Sequence, residues 1–337
     1  MSSREFTLSA ADLVPYGRGL QRPECVWVDR DGVWTSDARG GVCRVPAEGE
    51  PQVLGAGIAE PNGFSRRPDG SFVVAGLGDG RLHQIAADGH TRVLLESLDG
   101  SPLGTVNYAC ADGPQRVWLS VMTRHLPWVS ALRSRTRDGY IIRLDNDGAR
   151  AQIVADGLDL TNEVKVSPDG RHLYAVETLG CRLVRFAIRP DGSLGAKECV
   201  GPANLGRGAL PDGFAFDPAG NIWVTIISQN ALQVIDRDGA VRVPYSDINA
   251  AAVEDIARAV EQRDGTLDQL IACMNVAGPL RLPTSIAFGG PDGHTAFVGS
   301  VGLDHLVTFR LPEHSAHSRG QRPRITRGGI GRPRLIA

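Results

Sequence analysis

Most of the usual chemical signatures are missing from this chain. It has no apolar run long enough to cross a bilayer, and its opening MSSREFTLSA has neither the basic start nor the apolar core of an export signal. A cytoplasmic protein with no membrane partner is therefore expected. It has little charge imbalance: 36 Lys and Arg against 38 Asp and Glu leave a formal net charge of −2. No general field draws nucleic acid to such a surface, so no nucleic-acid partner is expected. None of the six cysteines (25, 43, 110, 181, 199 and 273) forms a CxxC pair, and they read as reduced thiols acting as small apolar residues. There is no HExxH, no GxSxG and no phosphate-binding loop, so zinc-protease, serine-triad and nucleotide-hydrolysing classes find no support. Aromatic residues make up only 6% of the chain, but they recur at regular places.

What is present is a phrase written six times: a polar residue, an apolar run, a turn of the Asp-Gly type, then an aromatic in a second apolar run. The copies are PECVWVDRDGVW from Pro23, PNGFSRRPDGSF from Pro61, VNYACADGPQRVW from Val106, TNEVKVSPDGRHLY from Thr161, PDGFAFDPAGNIW from Pro211 and PTSIAFGGPDGHTAF from Pro283. Trp34, Phe72, Trp118, Tyr174, Trp223 and Phe297 align as the aromatic positions. Each copy reads as two strands joined by a tight turn, and a second hairpin follows most of them, for example RLHQIAADGHTRVLL. Four-stranded units repeating every ~40–50 residues define a β-propeller with one blade per repeat. The expectation is an all-β, six-bladed propeller over residues 1–313, built of four-stranded antiparallel blades. The last copy shows only three strands, so the N-terminal segment 5–14 is expected to pair into that blade and close the ring. Residues 314–337, with six arginines between 319 and 334, form a separate basic tail.

A propeller runs the first strand of each blade along its central channel, so the residue opening that strand stands at the channel mouth. Those residues are Glu24, Asn62, Asn107, Asn162, Asp212 and Thr284. All carry side-chain oxygen, and a ring of oxygens with two carboxylates suits a hard divalent cation. Ca²⁺ comes first, with Zn²⁺, Mn²⁺ and Mg²⁺ as alternatives. Pro-Asn-Gly and Pro-Asp-Gly are also ordinary turns, as at 67–70, 167–170, 189–192 and 290–293. Turn chemistry, however, does not explain a glutamate beside proline at Glu24.

PECVW at 23–27, the strand of Asn107, TNEVKVSPDG at 161–170, PDGFAFDPAGNIWV at 211–224 and PTSIAFGG at 283–290 together resemble the SMP-30/gluconolactonase/luciferin-regenerating family of six-bladed propellers. The resemblance implies that Glu24, Asn107, Asn162 and Asp212 hold one divalent metal and that Asp212 acts as general base. Two positions depart from the family pattern: Glu163 follows Asn162, and Tyr108 follows Asn107. The stretch LGTVN also lacks an arginine that sugar-lactone hydrolases of the family often carry just ahead of this asparagine.

Strand direction places two long insertions, 124–138 and 248–280, on the same face as the mouth. The second contains NAAAVEDIARAVEQ, whose Val253, Ile256, Ala257 and Val260 have amphipathic helix spacing. Arg124, His125 and Trp128 on the first insertion, together with Asn62, are the expected substrate contacts. The leading expectation is a metal-dependent hydrolase of a lactone or related ester acting on a small molecule. A lyase, isomerase or condensing enzyme on the same scaffold, or a non-catalytic binding propeller, are the alternatives.

Overall fold

The computed structural model describes residues 6–134 and 136–312. The tail 314–337 and Arg135 of the first insertion lie outside the described residues. Alternating apolar residues on either side of short turns form antiparallel meanders, as the repeat requires. Four of them are separate four-stranded sheets. The first runs Val26–Asp29, Gly32–Asp37, Gly41–Val45 and Gln52–Leu54 from its inner to its outer strand. The others open on the inner strands Thr161–Val166, Pro211–Phe216 and Pro283–Gly289.

The second and third copies are not separate sheets. Their meanders, opening on Pro61–Arg66 and Thr105–Asp112, join into one eight-stranded sheet through a parallel pairing of Tyr108 with Gly63. Glycine allows this fusion, because a Cβ on residue 63 would lie 2.3 Å from the Tyr108 ring and 2.6 Å from its Cα. The expectation of six separate blades is corrected, among the described residues, to four four-stranded sheets, one of eight and a two-stranded hairpin at 97–102 in a propeller-like all-β arrangement.

The N-terminus closes the last sheet, but not with the expected residues. Its outer strand is Val14–Tyr16, antiparallel to Leu306–Arg310, with Val14 opposite Thr308. Most of 5–14 instead approaches that strand. Ser9 and Asp12 cap a 3₁₀ turn at Ala10–Asp12, and Leu8 and Leu13 pack into the core of the last two sheets. A local capping box competes with strand pairing here and prevails.

The recurring aromatics form much of the seam between neighbouring sheets. All six are buried. Trp34 meets Phe72 of the next sheet at 5.0 Å between ring centres, and Trp223 meets Phe288 at 5.9 Å. Each such ring contributes on the order of 2–3 kcal/mol by leaving water. The predicted helix is present at Ala250–Gln262, capped by Asn249, and buries Val253, Ile256 and Ala257. All six cysteines are free, and all but Cys199 are buried. No described helix is long and apolar enough to cross a membrane.

Candidate metal centre at the channel mouth

The entry into each inner strand follows a common local design. Arg22, Glu60, Leu160 and Leu282, each two residues before a mouth residue, have positive φ angles of 54°, 49°, 60° and 41°. None is glycine, so each such turn costs ~1–2 kcal/mol. The pairing register then slips just inside the turn in five inner strands, at 61–64, 105–108, 161–164, 211–214 and 283–285. A bulge re-aims the side chain it carries. Buried hydroxyls on the adjacent strand take up backbone N–H groups at these entries: Ser36 accepts from Cys25, Ser120 from Tyr108 and Thr225 from Gly213. Strain and bulge together turn the polar residues inward.

All six mouth residues are buried, none more than 7% exposed. Asn62 ties three of the entries together. Its Nδ2 donates to Glu24 Oε1 (3.2 Å) and to the carbonyl of Asn107 (3.1 Å), while its Oδ1 accepts from Arg22 Nη2 (2.9 Å). Thr284 Oγ1 donates to the Glu24 carbonyl (2.6 Å), so its side chain fixes Glu24. Asn162 Nδ2 donates to Thr178 Oγ1 (3.2 Å), which in turn donates to the carbonyl of Pro211 beside Asp212 (2.8 Å).

What remains unbonded is informative. Glu24 Oε2, Asn107 Oδ1, Asn162 Oδ1 and Asp212 Oδ1 are all enclosed and have no hydrogen-bond partner among the described residues. Only two other side-chain oxygens share that condition, those of Thr161 and Gln233. An orphaned buried acceptor costs about 1–3 kcal/mol, so four on one ring call for a common partner rich in positive charge. Two carboxylates and two amides are a hard-oxygen set that fits a divalent cation. No described cluster of three or more His, Cys, Asp or Glu could hold a metal ion; this ring differs in drawing half its oxygens from asparagine.

The electrostatics point the same way. Burial pushes Asp212 well above the ordinary carboxylate range, and the nearby charges of Glu24 and Glu163 add to that rise. Burial likewise pushes Glu24 up to about 8, opposed by Arg22 and reinforced by Glu163. Two buried carboxylates close enough to disturb one another need a cation to stay ionised together.

Next to Asn162, a buried carboxylate joins several inner strands. Glu163 Oε1 accepts from Ser285 Oγ (2.6 Å), while its Oε2 accepts from Phe214 N (3.1 Å) and pairs with Lys165 Nζ (2.6 Å). Lys165 lies over the rings of Tyr108 and Phe214, 5.4 Å from each centre. These contacts join four inner strands. A Cβ on Gly213 would come within 2.7 Å of the Glu163 carboxyl carbon, so glycine is required there. The sequence flags this pair, because Glu163 and Lys165 share one face of a strand otherwise apolar beyond its entry.

The three residues of the first insertion expected to contact substrate have protein partners of their own. Arg124 pairs with Asp156 (2.8 Å) and stacks on Tyr140 (4.3 Å). The ring of His125 lies 3.8 Å from Asp138, while its carbonyl accepts from Thr105 beside the mouth (2.6 Å). Trp128 packs against a cluster that includes Met122 and Leu132, and Val260 of the second insertion packs against the same cluster. Among the described residues no hydrogen bond joins these three side chains to the six mouth residues. Three polar residues at other rim turns are also committed: Asp37 to Arg39, Glu177 to Arg182 and Lys197, and Asn230 to the backbone at 247, 273 and 282. Arg22, which the sequence reading passed over, is in contact with the ring. Its only sequence signal is a cation two residues before Glu24.

Comparison with known proteins agrees with this architecture. The profile described as the SMP-30/gluconolactonase/LRE-like region matches residues 23–253, and the chain belongs to that family. It is 28% identical over 284 residues to 6-deoxy-6-sulfogluconolactonase of Pseudomonas putida, covering 82% of each chain. Among solved structures it resembles the gluconolactonase XC5397 of Xanthomonas campestris, with a TM-score of 0.65 and 21% identity over 91% of this chain and 94% of that one. The calcium-binding protein regucalcin of Agrobacterium tumefaciens gives a TM-score of 0.62 at 18% identity, over 90% and 92% of the two chains.

Proposed function

We propose that this protein is a divalent-metal-dependent lactone hydrolase whose centre is the mouth ring. Counting the fused sheet as two blades gives six, one for each mouth residue. The observation that carries the reading is the set of four enclosed, unpartnered oxygens on Glu24, Asn107, Asn162 and Asp212. The lactonase named among its relatives and the calcium-binding structural neighbour support it, with Ca²⁺ as the first choice of cation.

A cation held there supplies Lewis acidity toward a lactone carbonyl and toward water. The protein does the rest by position. Asp212 would give its enclosed Oδ1 to the cation, and its second carboxylate oxygen accepts the proton of the attacking water. Glu24 contributes charge and has an oxygen fixed by Asn62. Asn107 and Asn162 contribute neutral oxygens, which keeps the ring from accumulating a repulsive third negative charge. The Glu163–Lys165 pair closes the channel floor, so substrate approaches from the mouth alone. The two insertions, whose Trp128 and Val260 pack against one shared apolar cluster, form the rim of that approach.

The test is a pH-stat assay of EDTA-stripped protein on a panel of aldonolactones, before and after adding Ca²⁺, Mn²⁺ or Zn²⁺. Activity restored by a cation is expected. Equal hydrolysis with and without EDTA overturns the metal dependence, and no hydrolysis of any lactone overturns the reaction.

A further inference from the structure

We infer that Arg22 selects lactones carrying a fixed negative charge away from the ring carbonyl, such as a carboxylate, sulfonate or phosphate on the exocyclic carbon. This inference rests on the lactonase reading and names the substrate class for it.

Arg22 differs from other arginines of the fold. Arg39, Arg124, Arg182 and Arg263 are each pinned by a carboxylate: Asp37, Asp156, Glu177 and Asp159. Arg22 is half-buried and has none. Among the described residues its guanidinium donates only to neutral oxygens, from Nη1 to the Pro61 carbonyl (3.2 Å) and from Nη2 to Asn62 Oδ1 (2.9 Å). A guanidinium has five N–H donors, so most of its donor capacity is still open. A partly desolvated charge without a counterion is costly unless one arrives.

Asn62, to which Arg22 is bonded, also bonds Glu24, so the guanidinium is one side chain removed from the ring. Its charge acts on both Glu24 and Asp212. Glu24 and Asp212 are the only carboxylates among the six mouth residues, and Glu163 below them is matched by Lys165. A divalent ion on the ring would therefore be neutralised by Glu24 and Asp212, leaving Arg22 as an uncompensated positive charge. An anionic substituent restores neutrality, and the planar fork of arginine suits a carboxylate, sulfonate or phosphate. The backbone at residue 22 is held in the left-handed region, at φ 54°, which fixes where the side chain starts.

A matched pair of substrates tests this directly: D-glucono-1,5-lactone and its 6-phosphate, which differ only in the remote charge. Wild type should favour the phosphorylated lactone in kcat/KM. Arg22→Gln and Arg22→Gly should lose about 10–100-fold of that preference, read as the ratio of the two kcat/KM values within each variant. Arg22→Gly suits the left-handed backbone, so misfolding cannot account for its result. Arg171→Gln, which removes an exposed arginine at the opposite end of the Asn162 strand, should leave the preference intact.

Calorimetric binding of 6-phospho-D-gluconate against D-gluconate provides a readout independent of turnover. The phosphate should tighten binding to wild type about tenfold or more, and not to either Arg22 variant. No preference in wild type, or a preference unchanged in both variants, overturns the role of Arg22. If neither lactone is hydrolysed but Arg22-dependent binding of the phosphorylated acid persists, the lactonase reading falls and the anion site stands.

Discussion

Glu163 is the residue whose removal the structure prices most directly. It is 1% exposed and holds three donors: Ser285 Oγ at 2.6 Å, Lys165 Nζ at 2.6 Å and Phe214 N at 3.1 Å. Glu163→Gln keeps the shape but removes the charge. It also replaces one acceptor oxygen with an NH₂ group that faces donors. Removing one partner of a buried ion pair costs about 3–5 kcal/mol, because the other charge stays behind. The Lys165 side chain is 18% exposed and keeps its bond to the Phe214 carbonyl, which places the expected loss near the lower end, at about 3 kcal/mol. Urea denaturation in EDTA measures it free of any metal contribution. Adding Lys165→Met removes the stranded charge, so the double variant should be more stable than Glu163→Gln alone. A loss below about 0.5 kcal/mol, the usual range for a surface change, or strict additivity in the double-mutant cycle, would refute the claim that this pair holds the channel floor together.

Other consequences can be measured separately. Thr178→Val removes the hydroxyl that turns the Asn162 amide so that Oδ1 faces the ring; cation affinity should fall about 10-fold or more in a calorimetric titration, with the fold intact by circular dichroism. Asp212→Asn should nearly abolish lactone hydrolysis while retaining some cation binding, whereas Glu24→Gln should regain activity at high cation concentration; equal rescue of both would remove Asp212 as the base. At Asp37, burial tends to raise the carboxyl, but the bonds from Arg39 and the Gln21 amide outweigh it and hold the group below its ordinary 3.8. A depressed carboxylate stabilises the fold above its unfolded value and loses that contribution as pH falls through the folded one. Wild type should therefore lose stability below about pH 3.8 faster than Asp37→Asn, and parallel thermal-melt profiles of the two would contradict this.

How much of this was legible in the sequence depended on the distance over which each feature is specified. The strands were, because alternation and Asp-Gly turns are written within a dozen residues. The mouth ring was too, since every repeat marks it at the same place. The fused sheet was not: it rests on the close approach of the Gly63 and Tyr108 backbones, set by packing between repeats. The N-terminal strand was displaced because the Ser9–Asp12 cap forms a turn in the segment that the missing fourth strand of the last copy had pointed to. Glu163 stood out as unusual, yet its partners Phe214 and Ser285 lie 51 and 122 residues away. Arg22 gave almost no signal, as its position depends on a positive φ and on contacts with Pro61 and Asn62. Arg124 and His125 looked like free loop groups only because Asp156 and Asp138 could not be placed beside them.

The proposed metal centre requires that four enclosed oxygens share one cation. The most direct measurement is an anomalous difference map from a crystal of the stripped protein soaked in Mn²⁺. The account predicts a single strong peak in contact with Glu24 Oε2, Asn107 Oδ1, Asn162 Oδ1 and Asp212 Oδ1, and its loss in the Glu24→Gln, Asp212→Asn double variant. A peak bound elsewhere, or no peak at the mouth at saturating Mn²⁺, would contradict it.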